Sequence, residues 1–411
     1  MKIAILCGNY YPNYSAVGLC ASRLAESYAK TNEVFVLSVT DVIQGDTQFS
    51  HNEVSVYKDI PLIERKRKNA IKKEYKYAWI KNGITNYYRF IRMTNTVCSK
   101  YSIRSDYVDS FYSLIDKVQD IDLIIALCMP IESAYAAMKY RKDNNKNYKI
   151  IMMMYDGFAD ARTTHYFTWN KKLKFNRHIK LENEIFSACE KVCYVAQNKE
   201  HLMKYHKEII SRFVEVEHPN IQKKERPKEL LGIFSDDKVH FVYGGGLKKD
   251  YIDPTYFVKL LPMLPNVKLD IFTSDNALRQ FQDFKDIASV CMKGWLSQEQ
   301  LTQVLYEADF LINFATKDGH QISSKIFEYI SMGRPFVHVY SSDSDNNLKY
   351  LKNYPLVLCL NENDDDDYNA RTLIKWCEDN KGKNLSFDAI MNDYYECTPE
   401  YICNQIIEGV E

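Results

Sequence analysis

No apolar run in this sequence approaches the roughly 18 residues that a membrane-spanning helix requires. The first strand-like run, Lys2 to Cys7, gives way to polar, Tyr-rich sequence after about six residues, which is too short for a secretion signal. A cytosolic chain is the expectation. An excess of either charge is also missing, since Lys plus Arg and Asp plus Glu both number 54. No global field argues for nucleic acid as a partner, and any electrostatic specialisation has to be local. The 11 cysteines, an odd count, contain no C-x-x-C pair, and Cys7, Cys128 and Cys193 sit inside apolar runs. They read as reduced core residues. There is no short-period repeat, and the one biased tract, Asp364 to Asp367, reads as a solvated loop rather than a metal site.

What is present is the composition of a folded protein, 46% hydrophobic and 26% charged over 411 residues. That length exceeds one ordinary core, so two domains of roughly 150 to 220 residues are expected. In the first half, short Val- and Ile-rich runs alternate with helical stretches: Ile3 to Cys7, Val34 to Val39, Val54 to Tyr57, Leu123 to Leu127, Ile150 to Met154 and Val192 to Val195. The second half repeats the alternation at Val239 to Tyr243, Val267 to Phe272, Ser289 to Met292, Phe310 to Phe314, Phe336 to Val339 and Leu356 to Leu360. Near-continuous apolarity over four to six residues suits strands covered on both faces, hence α/β architecture with two doubly wound parallel sheets. The polar stretch Gln222 to Lys228 reads as the linker, with a boundary near residue 225 and a second domain over 226–395. Thr398-Pro399-Glu400 supplies an N-cap, a first-turn Pro and an acid, opening a final helix to Ile407 within the segment 396–411.

The chemistry concentrates after the strand Phe310 to Phe314, where Lys317-Asp318-Gly319-His320-Gln321-Ile322 leads into a helix beginning Ser323-Ser324-Lys325. Free amides and the positive end of a helix dipole make an anion site that a diphosphate fits. Glu328, one turn on, suits the vicinal hydroxyls of a ribose. The alternative is an ordinary Lys325–Glu328 ion pair behind a capping Ser323. Gly333-Arg334-Pro335 then closes the helix into a buried strand, so the unit lies at the carboxyl edge of a sheet, where ligands bind.

The run SSKIFEYISMGRPFV, preceded by GWLSQEQLTQVLYEADFLINFA, resembles the donor-binding region of GT-B glycosyltransferases, particularly the family 4 group that makes bacterial surface polysaccharides. The opening CGNYYPNYSAVGLCASRLAESYAKTNEVFVLSV is similar to that family's first strand, loop and helix. The resemblance implies two Rossmann-like domains facing a cleft, an acceptor-binding first domain, a donor-binding second domain and a last helix that crosses back to the first. It also implies donor ribose at Glu328, diphosphate at Ser324 and Lys325, and transfer with retention of anomeric configuration. The family often carries a second Glu eight positions before the first; here that position is His320. Contact with the sugar on that side therefore falls to His320, to Asp318 or to the backbone.

Four further segments are candidates. Gly244-Gly245-Gly246-Leu247-Lys248-Lys249 follows a strand, and its glycines let backbone approach a ligand while a lysine neutralises a departing diphosphate. In the family a basic residue of this loop does so, which points to Lys248 or Lys249; a tight turn with solvated lysines is the alternative. Asn9 to Gly18 is a loop whose small residues bring backbone to a phosphate or to the acceptor, or merely a tight entry to the helix. Asp156, in Tyr155-Asp156-Gly157 after a strand, is a candidate general base, or a turn residue.

The fourth runs from Arg65 to Arg104, with twelve Lys or Arg, among them Arg65, Lys66, Arg67, Lys68, Lys72 and Lys73, against the single acid Glu74. Tyr75, Tyr77, Trp79, Tyr87, Tyr88 and Phe90 interleave, which suits an anionic membrane surface; a solvated basic face or nucleic acid are the alternatives. Asp343-Ser344-Asp345 has the D-x-D spacing of a divalent-cation site but reads as a polar loop and helix cap, so no metal and no cofactor are expected, the nucleotide sugar being a substrate. The expectation is transfer of a sugar to a glycan or polyprenyl-linked acceptor at the inner face of the membrane. The rivals are a sugar-nucleotide epimerase of the same fold and a silent sugar-nucleotide-binding partner.

Overall fold

The computed structural model describes residues 1–12, 14–40, 46–72, 77–161 and 164–410. Lys73, Glu74 and Tyr75 of the basic segment lie outside them. Two compact units emerge, one of Met1–Pro219 with Glu396–Glu411, the other of Asn220–Tyr395. The chain thus leaves the first unit at Pro219, a few residues before the polar stretch Gln222 to Lys228.

In the first unit the elements run β1 (Lys2–Cys7), α1 (Ala16–Ala29), β2 (Glu33–Val39), β3 (Gln48–His51), β4 (Val54–Asp59), α2 (Leu62–Ile71), α3 (Ala78–Cys98), α4 (Ser105–Ile115), β5 (Leu123–Cys128), α5 (Glu132–Asp143), β6 (Lys149–Met154), α6 (Thr168–Ala188), β7 (Lys191–Tyr194), α7 (Lys199–Tyr205) and β8 (Phe213–Glu215). The sheet order is β3-β4-β2-β1-β5-β6-β7-β8, parallel except for β3 against β4. Alternate residues of one strand serve opposite faces. Ala4 and Leu6 pack with α4, α5 and α6 residues such as Phe111, Ala136 and Ile185, whereas Ile3 and Ile5 pack with Leu24 of α1.

The second unit runs β9 (Val239–Gly244), α8 (Thr255–Leu260), β10 (Val267–Phe272), α9 (Asp275–Gln280), β11 (Val290–Lys293), α10 (Gln298–Glu307), β12 (Phe310–Phe314), α11 (Ser324–Ser331), β13 (Phe336–Tyr340), α12 (Leu348–Leu351), β14 (Val357–Asn361), α13 (Asp366–Asn380) and α14 (Phe387–Tyr394). Its strands order as β11-β10-β9-β12-β13-β14, all parallel. This is the dinucleotide-fold arrangement, in which strand order reverses between the first and fourth strands.

The last helix, α15 (Pro399–Ile407), belongs to the first unit. Thr398 caps it by accepting the Tyr401 N–H at 3.3 Å, with Pro399 at the first helical position. Ile402, Cys403 and Ile406 bury against Leu24 and Tyr28 of α1, and the Tyr28 hydroxyl donates to the Cys403 carbonyl at 2.9 Å.

Candidate functional site

The reversal point of the second sheet lies between β9 and β12, and the loops that leave these two strands carry the sequence motifs. After β9 comes the triple glycine. Gly245 adopts φ +152°, and a Cβ there would stand 2.4 Å from Cε and 2.5 Å from Nζ of Lys325. Only a glycine lets the lysine of α11 lie across this backbone. The loop then closes in a turn, with Lys248 N–H donating to Ile252 O at 3.1 Å and Ile252 N–H returning to Lys248 O at 2.8 Å. Tyr251 in this turn donates its hydroxyl to Gln321 Oε1 at 2.6 Å, and its carbonyl accepts the Lys317 N–H at 2.9 Å. The two loops are therefore tied to each other.

α11 opens with its amides unspent. Ser323 stands at the cap position, but its hydroxyl turns inward and donates to Asn313 Oδ1 at 2.8 Å instead of capping. Among the described residues the N–H groups of Ser324 and Lys325 have no partner, as an anion site requires. The helix itself is fixed by Ile326, Phe327, Tyr329 and Ile330, all buried. It ends in a left-handed Gly333 (φ +67°), with Gly333 N–H on Ile330 O at 2.8 Å and Arg334 N–H on Tyr329 O at 3.2 Å, a Schellman stop.

Behind the helix start is a closed ring of buried polar groups. Asn313 Nδ2 lies 2.8 Å from His338 Nδ1, and His338 Nε2 lies 2.8 Å from Asp345 Oδ2. Asp345 Oδ1 accepts Asn347 N–H at 2.9 Å and Asn347 Nδ2 at 2.6 Å, and Asn347 Oδ1 accepts the Ser323 N–H at 2.8 Å. With Asn313 Nδ2 donating to Nδ1, His338 donates from Nε2 to Asp345, so every member of the ring has a partner. The ring pins Ser323 and so the start of α11. None of His338, Asn313 and Asn347 stood out in the sequence; a histidine inside the apolar run Phe336 to Val339 was the available signal.

Lys325 and Glu328 form no ion pair among the described residues. Lys325 Nζ sits 5.1 Å from the Tyr243 ring centre, and Glu328, half-buried, accepts Gln298 Nε2 at 3.3 Å through Oε1. A second carboxylate oxygen is left for a ligand. Lys248 and Lys249 are exposed, and their ammonium groups have no carboxylate partner among the described residues. Gly246 is exposed too, its carbonyl taking the Tyr243 hydroxyl at 2.8 Å. His320 is exposed, while the Asp318 carboxylate is engaged by Thr316 Oγ1 at 2.9 Å and the His320 N–H at 3.2 Å. Lys248, Lys249, Gly246, Ser324, Lys325, Glu328 and His320 thus sit on linked segments at one edge of the second sheet.

Elsewhere the structure is less accommodating. α1 starts at Ala16, so Gly18 lies inside its first turn rather than in a loop before it. The Gly18 N–H donates to Ser15 Oγ at 3.0 Å, and a Cβ at this position would stand 1.9 Å from Asn9 O. Gly18 provides room for the loop and has no free amide to give a donor. Asp345 of the D-x-D is buried in the polar ring, and Asp343 accepts from Asn361 Nδ2 at 3.2 Å. In the acid run, Asp365 caps α13 and Asp366 pairs with Lys259 at 2.5 Å.

In the first unit, Asp156 follows β6 and is exposed, yet desolvation by the sheet end beneath it pushes its carboxyl above the ordinary carboxylate range. The basic segment is partly spent on itself. Arg65 pairs with Asp59 at 2.6 Å, and Arg67 and Arg92 both meet Glu64, at 2.7 and 3.2 Å. Lys66 and Lys72 are exposed and Lys68 is half-buried on α2. On α3, Trp79, Tyr87 and Phe90 are exposed along one face, at helical spacing. No helix among the described residues is long and apolar enough to cross a membrane. A cavity of about 730 Å³ opens at the amino ends of β5 and β6, lined by Asp122, Tyr140, Lys149 and Val410, at the opposite edge of that sheet from Asp156.

No family model and no curated protein sequence matches the chain. Solved structures do. A lipopolysaccharide outer core galactosyltransferase, WaaB, superposes with a TM-score of 0.53 at 14% identity, covering 99% of each chain. HepE of Anabaena, solved in complex with UDP and glucose, gives 0.55 at 10% identity over 99% of this chain and 95% of its own. UDP-GlcNAc 2-epimerase from Methanocaldococcus jannaschii gives 0.54 at 10% identity over 100% of both. The fold is therefore GT-B, with two Rossmann-like units.

Proposed function

We propose that this chain is a glycosyltransferase that moves a sugar from a nucleoside diphosphate donor to a hydroxyl of a glycan or polyprenyl-linked acceptor. The observation that carries the proposal is the site at the reversal point of the second sheet, where a glycine backbone, unpaired lysines, open α11 amides and Glu328 stand on interlocked loops. Glu328 accepts the ribose hydroxyls. The amides of Ser324 and Lys325, the Lys325 ammonium and Lys248 or Lys249 meet the diphosphate and the charge that grows on it as the bond from the anomeric carbon to its oxygen breaks. His320 faces the sugar. On the acceptor side we assign Asp156 as the group that takes the hydroxyl proton while the new carbon–oxygen bond forms; its raised pKa suits a base.

We assign no metal to this step, because Asp345 is committed to the polar ring and the lysines supply the positive charge. Retention of anomeric configuration, kinship with family 4 and a place in bacterial surface polysaccharide synthesis are part of the same reading. So is work at the inner face of the membrane, with the exposed aromatic face of α3 and the exposed Lys66 and Lys72 against anionic lipid. Supporting it are the galactosyltransferase and the UDP and glucose complex among the structural neighbours.

An epimerase is the second reading, favoured by the UDP-GlcNAc 2-epimerase of similar fold. Incubation of the purified chain with a panel of nucleotide sugars separates the two. Nucleotide release that depends on an added acceptor is expected; conversion of the sugar nucleotide with no acceptor present identifies an epimerase. Binding without any turnover marks a silent partner and sinks the catalytic reading.

A further inference from the structure

In the first unit, below the carboxyl ends of β6 and β7, three side chains from separate places direct one donor atom each to a common point. Glu182 belongs to α6, His201 to α7, and His206 is the residue that ends α7. Glu182 Oε2 lies 2.9 Å from His201 Nε2 and 3.0 Å from His206 Nε2, and the three atoms are within 4.8 Å of one another. The side chains of Glu182 and His206 are 0% exposed and that of His201 is 9% exposed.

The other polar atom of each residue is already taken. His201 Nδ1 meets the Asp160 carboxylate, His206 Nδ1 lies 2.7 Å from Asn183 Oδ1, and Glu182 Oε1 accepts the Ala159 N–H at 2.9 Å. Both nitrogens of each ring face an oxygen, so either the proton of a neutral imidazole sits at Nδ1, opposite Asp160 or Asn183, and leaves a lone pair at Nε2, or the ring is an imidazolium that also donates to Glu182. Two such lone pairs pointed at one carboxylate oxygen repel unless positive charge lies between them. Acceptors behind each Nδ1–H, and a hydrogen bond on the far carboxylate oxygen, are the outer partners that accompany histidine and carboxylate metal ligands.

We propose that Glu182, His201 and His206 hold a first-row divalent cation, zinc being the one suited to this nitrogen and oxygen donor set. Bonds of about 2.0–2.2 Å to a tetrahedral ion put its donors about 3.3–3.5 Å apart, so the two short contacts open only slightly to admit one. Three protein ligands leave a further position for water or another small donor. The ion ties α6, α7 and the Ala159–Asp160 segment after β6 together; it belongs to the first unit and the donor site to the second, so the proposal is independent of the transferase reading.

The test uses the full chain made without a histidine tag, stripped with a chelator, and titrated with zinc and with cobalt(II) as a spectroscopic substitute. One equivalent bound, ligand-field bands from cobalt and a thermal midpoint that rises with zinc are expected. Asp160→Asn, which changes an outer partner only, should weaken zinc by about 10- to 100-fold, and His201→Gln or Glu182→Gln by more. A folded wild-type chain that takes up neither metal overturns the proposal and leaves His201 as a doubly protonated bridge between two carboxylates. So do folded variants that bind zinc as tightly as the wild type.

Discussion

Replacing Glu328 by alanine isolates the proposed ribose contact from the rest of the donor site. Among the described residues the carboxylate has one side-chain partner, Gln298, at a long 3.3 Å. Its removal therefore costs the fold little. Two ribose hydroxyls donating to a charged acceptor are worth about 1.5–3 kcal/mol each. Less the Gln298 contact they displace, about 3 kcal/mol remains, or roughly a hundredfold in Kd. Titration calorimetry with the nucleoside diphosphate that most stabilises the chain in a thermal-shift panel measures this. A deoxyribose analogue completes a double-mutant cycle: the wild type should lose affinity for it, and Glu328→Ala should bind the ribose and deoxyribose forms alike. Unchanged affinity in a folded Glu328→Ala chain, or losses that simply add, refutes the ribose role.

Gly245→Ala drives a Cβ into Lys325 Nζ and should weaken diphosphate binding by at least about tenfold, some 1.4 kcal/mol, with little effect on the bare nucleoside; equal losses for both would point to a collapsed loop instead. Asp345→Ala orphans three buried donors and should cost about 3–5 kcal/mol, which for a domain of this size lowers the thermal midpoint by roughly 10 °C or more. Were Asp345 an open cation ligand, the midpoint without metal would stay where it is. Asp156 has a carboxyl raised above its unfolded value, so its ionisation penalises the fold at neutral pH and the penalty vanishes in acid. Asp156→Asn should consequently be more stable than wild type near pH 7 but not at acid pH, while its transferase rate falls; a variant with full activity removes Asp156 from the mechanism. The acid limb of the wild-type pH–rate profile should lie above that of an ordinary aspartate.

The strands were legible where they are buried on both faces. Runs such as Leu123 to Leu127 or Phe310 to Phe314 are apolar throughout, and their observed ends fall within a residue of the pattern. β3, Gln48–His51, was missed because it is a partly exposed antiparallel edge strand with no apolar run, and β8 because three residues carry no period. Within the donor site, the helix with Ser324, Lys325 and Glu328 could be read because its parts are adjacent in sequence. The ring through Asn313, His338, Asp345 and Asn347 could not, since its members come from two strands and the loop after the second of them, and only their approach in space makes them partners. Gly18 shows the opposite failure: a small residue at a helix start suggested an exposed amide, whereas the close approach of Asn9 is what requires it.

The return of α15 to the first unit has a consequence for how the chain is made. Its seat on α1 exists early in synthesis, yet Tyr28 and Cys403, which bond across it, are 375 positions apart. On thermodynamic grounds the gap matters little, because loop-closure entropy grows only logarithmically and each doubling costs about 0.6 kcal/mol. On the ribosome it matters more. At about 5–20 residues per second, making residues 220–395 takes about ten to thirty seconds, during which the side of Leu24 and Tyr28 that α15 covers waits open. The nascent chain thus carries a sticky apolar groove for the whole time its second unit is being built, and this is the interval in which a chaperone would find it.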